Sequence, residues 1–105
     1  MSSNEHFHGI TILTPSDWEK FKEQFEAQHP GFFIGLHSRF PGLTPSEIRL
    51  LTLLKLEFNI KMMARTLGIS PQSIAKSRYR LRKKLKLGKH QSLNNIHESN
   101  WTPTT

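Results

Sequence analysis

The stretch NIKMMARTLGISPQSIAKSRYRLRKKLKL, Asn59 to Leu87, decides the fold. Its first half reads as a short helix from Ile60 to Leu67, capped by Asn59, with Met63, Ala64 and Leu67 turned inward. Gly68 ends that helix, because a residue without a Cβ enters the left-handed conformation at no steric cost. Ser70-Pro71 then opens a longer helix, a hydroxyl cap followed by proline at the first helical position, running to about Lys86. Ala64 allows the two helices to approach closely and Gly68 allows the tight turn between them. Met63, Leu67, Ile69 and Ile74 supply the apolar contacts that set their angle. The spacing predicts a helix-turn-helix.

The second of these helices has two chemically distinct faces. With Ile74 at zero on a wheel of about 100° per residue, Leu81 and Leu85 fall within about 20° of it and define a buried edge. Gln72, Lys76, Tyr79 and Lys83 lie within about 40° of the opposite side, flanked by Ala75, Arg80 and Lys86. Short or hydrogen-bonding residues in the first turns followed by cations suit a helix inserted in a DNA major groove. Gln72, Ala75, Lys76 and Tyr79 are therefore assigned to base edges, Ala75 to a thymine methyl and Lys76 to guanine acceptors. Ser70 and Ser73, with the helix's N-terminal amides, are placed to hold a phosphate. Lys61, Arg65, Arg80, Arg82, Lys83, Lys84 and Lys86 are placed to neutralise backbone charge on either side. Arg78 projects only about 40° from Ile74, toward the protein, so it needs a partner; Glu47 is the expected one, and both are assigned structural roles with Ala64, Gly68, Ile74, Leu81 and Leu85.

Charge is segregated to match. Residues 58 to 105 carry ten Lys or Arg against one acid, whereas residues 1 to 57 carry five against seven, so the formal net charge of +7 divides into +9 and −2. A local positive field suits an anionic partner better than general solubility does, with double-stranded DNA the first expectation. With 105 residues and 35% hydrophobic content the chain suffices for one small core. There are no cysteines, which excludes disulfides and thiolate chemistry. The apolar runs are too short to span a bilayer and no secretion signal is visible, so the expectation is a soluble, cytoplasmic protein that does not enter the membrane.

Upstream, residues 1 to 13 alternate weakly through His8, Ile10 and Ile12, which reads as a short strand, an extended arm or a linker. Thr14-Pro15-Ser16-Asp17 starts a helix in which Trp18, Phe21 and Phe25 form a narrow aromatic stripe, stopped by His29-Pro30-Gly31. Phe32, Phe33, Leu36 and Phe40 predict a second short helix from Phe32 to Arg39 before Pro41-Gly42. Thr44-Pro45-Ser46-Glu47 repeats the start signal, with Glu47 placed to reach back to the Thr44 amide. The helix it opens runs to about Glu57. Leu50, Leu51, Leu53, Leu54 and Leu56 cover nearly its whole circumference, so it should be surrounded by other elements. The expectation is an all-α chain: an arm over 1–13, an aromatic helical extension over 14–42, a helix-turn-helix bundle over 43–88, and a short helix or frayed tail over 89–105.

The segment LTPSEIRLLTLLKLEFNIKMMARTLGISPQSIAKSRYRLRKKLKL, Leu43 to Leu87, resembles the LuxR/GerE-type DNA-binding domain of bacterial transcription regulators over 45 of the 105 residues. Within that family it is similar to a subgroup ending in Arg-x-Arg-Leu-Arg-Lys-Lys-Leu, matched by Arg78, Arg80, Leu81, Arg82, Lys83, Lys84 and Leu85, and preceded by a segment like DWEKFKEQFEAQHPGFF, Asp17 to Phe33. The resemblance implies a four-helix fold whose third helix enters the major groove, with groove-facing positions on Ala75, Lys76 and Tyr79. It also implies a fourth helix through which two copies meet on DNA. An upstream sensor domain or RNA polymerase is the further partner it suggests, the chain being the output piece of a longer regulator or a small stand-alone binder. Met62 stands where the family usually has Glu, which removes one capping interaction from the second helix.

Other classes are weighed against this one. His6 and His8 form a lone His-x-His, and His29, His37, His90 and His97 have no carboxylate or cysteine at ligand spacing, so neither an enzyme, a metal site nor a cofactor is expected. A sigma-factor promoter-binding region has similar helices and caps, but the domain that should accompany it has no room here. A protein-interaction module would instead dock a partner on the aromatic helices and leave the basic face to solubility.

Overall fold

Helix starts in this chain fall where a side chain is available to cap them. The computed structural model describes residues 7 and 9–86, and over these the elements are α1 (Pro15–Gln28), α2 (Phe32–Arg39), α3 (Pro45–Lys55), α4 (Ile60–Leu67) and α5 (Pro71–Lys84). Thr14 and Thr44 build full capping boxes: each hydroxyl accepts from the amide three residues on, and Asp17 and Glu47 accept from the cap amides in return. Asn59 accepts from Met62 N at 2.8 Å, and Ser70 accepts from Ser73 N at 3.1 Å. With Met62 in place of an acid, the α4 cap is one-sided. Gly31, in the left-handed region at φ 84°, opens α2 with no side-chain cap.

One apolar core joins all five helices. Leu50, Leu51, Leu53, Leu54 and Leu56 are all buried, so α3 is enclosed on every side as its leucines require. Thr52 is buried among them, and its hydroxyl donates to the Ile48 carbonyl at 2.7 Å, which removes the cost of an unpaired polar atom. On one flank lie the aromatics of α1 and α2, with Phe21, Phe25, Phe32 and Phe33 packed in stacked, edge-on and tilted pairs. His29 stacks on Phe25 with ring centroids 4.6 Å apart, and burial, aided by the Lys55 charge, holds its imidazole below the usual range. On the other flank α4 and α5 pack against each other and α5 against α3.

The arm is packed onto the bundle. Phe7 is completely buried against Phe21 and Phe25, and Ile12 is 4% exposed. The Ile12 amide donates to the Thr66 carbonyl at 2.7 Å, so the arm is fastened to the last turn of α4 rather than extended from the surface. There is no strand among the described residues, and no helix among them is long and apolar enough to cross a membrane. The expected last helix or tail over 89–105 lies outside the described residues, as do His6, His8, His90 and His97.

Candidate nucleic-acid interface

The turn between α4 and α5 is set by Gly68 at φ 68° and ψ 32°, whose amide donates to the Ala64 carbonyl. The Ile69 amide donates to the same carbonyl at 3.1 Å, closing the C-terminal end of α4. Leu13 from the arm lies over this turn: a Cβ at position 68 would stand 2.6 Å from its Cδ2. Ile69 contributes less than expected, being 44% exposed, and Leu67 is half-buried.

From this turn α5 leaves with its inner edge sealed. Ile74 and Leu81 are fully buried and Leu85 is 6% exposed, while Gln72, Ala75, Lys76, Tyr79 and Lys83 are all exposed. The ammonium of Lys83 sits 4.8 Å from the Tyr79 ring centroid, a cation–π pairing that holds two outer-face side chains together. Lys61, Arg65, Lys76, Arg80, Lys83 and Lys86 make no ion pair among the described residues. Of these, all stand exposed. Arg82 is half-buried. The helix ends at Lys84, two residues before the expected Lys86, which itself takes a left-handed φ of 55° and turns the chain.

The α5 N-terminus is more occupied than its sequence suggests. Pro71 has no amide hydrogen, Ser70 Oγ accepts from Ser73 N, and the Ser70 hydroxyl is 3.0 Å from Ser73 Oγ. Both serines thus serve the cap first, and the Gln72 amide is left without a hydrogen-bond partner among the described residues.

The largest correction concerns Glu47. Its Oε1 accepts from Lys84 Nζ at 2.7 Å and from the Thr44 amide at 2.8 Å, and Lys84 Nζ also donates to the Gly42 carbonyl at 2.8 Å. Lys84 is therefore a structural clasp between α5 and the start of α3, not a free cation, and Arg78 is not the partner of Glu47. Burial alone would push the Glu47 carboxyl up, but the hydrogen bonds from Lys84 and Thr44 and the lysine charge outweigh it and hold the group below the usual range. Arg78 is half-buried with its Nε enclosed and without a hydrogen-bond partner among the described residues. Arg49 on α3 shares that condition at its own Nε while its guanidinium lies 5.4 Å from the Trp18 ring centroid.

The arrangement defines a small all-helical bundle that presents one helix with an uncharged inner ridge and a cationic outer face. Comparison with protein families, with characterised proteins and with solved structures returned no match.

Proposed function

We propose that this chain binds double-stranded DNA in a sequence-specific way, as the output domain of a transcription regulator, with α5 in the major groove. The observation that carries the reading is the outer face of α5, where Gln72, Ala75, Lys76 and Tyr79 are all exposed opposite a ridge sealed by Ile74 and Leu81. The unpaired cations on α4 and α5 support it, since each is available to displace a counterion from a phosphate. The similarity of Leu43 to Leu87 to LuxR/GerE-type domains points the same way. Base contacts are assigned to Gln72, Ala75, Lys76 and Tyr79, and phosphate contacts to Lys61, Arg65, Arg80, Lys83 and Lys86. Lys84 leaves that set because Glu47 and Gly42 hold it, Ser70 and Ser73 because they serve the helix cap, and Arg82 because it is half-buried.

Selection of bound duplexes from a random library, followed by titration at rising salt, tests the reading. It expects an enriched motif and a log–log salt slope on the order of 5 to 8. A palindromic motif would show two copies binding together. Absence of binding at low salt would return the basic face to the interaction-module reading.

A further inference from the structure

Between the arm, α3 and α5 runs a narrow groove of about 290 Å³, at the small end of the range for ligand pockets. Leu50, Leu67 and Ile74 line its apolar end, and Leu13 and Ile69 border it with exposed side chains. Its polar residues are Ser46, Arg49 and Ser77. A second hollow shares Ser46, Leu50 and Ser77 with it and is bordered by Thr44, Glu47 and Arg80. Two hydroxyls and one guanidinium group, that of Arg49, thus line the same groove as the apolar residues.

Arg49 is the informative residue. Its Nε is shut off from solvent and has no hydrogen-bond partner among the described residues, a condition that leaves a strong cationic donor uncompensated. Trp18 lies over one face of the guanidinium at 5.4 Å, and Arg49 also lines the groove, so an acceptor there would meet the in-plane N–H groups. The nearby acid on α3, Glu47, is neutralised by Lys84 at 2.7 Å and does not cancel the attraction for an anion. We propose that this groove binds a small organic anion, a carboxylate on an apolar body of about ten to fifteen heavy atoms, with the carboxylate on Arg49, Ser46 and Ser77 and the body between Leu50 and Leu67. A DNA phosphate has no apolar body to fill the slot. The apolar part of the groove therefore favours a free ligand over a backbone phosphate.

The test uses 3-phenylpropionate, its neutral amide and inorganic phosphate as probes on the full chain, followed by nitrogen–proton correlation NMR including the arginine Nε–H signals. The acid should shift the Arg49 Nε–H and the Ser46 and Ser77 amides saturably in the millimolar range, with the amide and inorganic phosphate each at least about tenfold weaker. R49K, which keeps the charge but loses the in-plane fork, should weaken the acid about fivefold or more without changing the amide. Equal binding of acid and amide, equal binding of phosphate and acid, shifts centred away from Arg49, or no saturable shift would each overturn the proposal. The wild-type comparison of acid with amide stands even where a variant fails to fold.

Discussion

The aromatic helices α1 and α2 and the basic pair α4 and α5 spend their residues in opposite ways. In the first region the large side chains face one another: Phe21, Phe25, Phe32 and Phe33 are all buried, joined by Phe7 of the arm, and the charges outside them are mixed in sign. In the second, α5 commits only Ile74 and Leu81 to the core and leaves an outer face of glutamine, lysine, arginine and tyrosine exposed. The first region is built to be a support, and the second to be presented by one. Leucine-rich α3 lies between them and serves both, which is why the two regions share a single core instead of forming two.

The sharpest way to break that comparison is to cut the core on each side. F25A should lose ~3–5 kcal/mol and L81A ~2–5 kcal/mol of stability in urea unfolding, since both side chains are buried completely. Tryptophan fluorescence and far-UV circular dichroism should report one coincident transition for each. Two separated midpoints would mean that the halves fold independently.

Next in size is the clasp between α5 and α3. E47A removes the return half of a capping box and the partner of Lys84, and should cost ~1–2 kcal/mol. Because the folded carboxyl titrates lower than its usual value of 4.5, its contribution is present above that pH and is lost as pH falls through the folded value. The difference in stability between wild type and E47A should therefore shrink on acidification below about pH 4.5. A constant difference down to strongly acid pH would contradict the pairing.

At the turn, G68A should cost about 1–2 kcal/mol, chiefly through the left-handed backbone, because the clashing Leu13 Cδ2 is the end of a flexible side chain and can move. The smallest effect is the most discriminating. R78M removes an enclosed, unpartnered Nε and should leave the melting temperature unchanged or slightly raised. A pronounced fall would restore the ion pair with an acid that the sequence suggested.

Much of this was legible beforehand, for identifiable reasons. Capping is chemistry within four residues, so Thr14, Thr44, Asn59 and Ser70 were readable directly, as were the bounds of α4, while those of the uncapped α2 followed from the Pro-Gly pairs on either side. Angle around a helix is legible too, which is how Ile74, Leu81 and Leu85 were separated from Gln72, Lys76 and Tyr79. Position along a neighbouring helix is not. Arg78 and Lys84 both flank the inner edge of α5, but they differ by about 9 Å along its axis, and only the packing of α3 decides which one Glu47 meets. The anchorage of the arm escaped notice because it is one long-range hydrogen bond to Thr66 and the burial of Phe7 and Ile12, which do not share one period. The groove at Arg49 likewise depends on three segments far apart in sequence.

The proposal that the outer face of α5 reads DNA is tested most directly by titrating wild type, K76A and R65A against a selected duplex and its single-base variants at rising salt. K76A should relax discrimination at one base position by ~1–3 kcal/mol, whereas R65A should weaken every sequence alike and flatten the salt slope by about one. Identical behaviour of the two variants on all duplexes would contradict the division of that surface into base-reading and phosphate-binding residues.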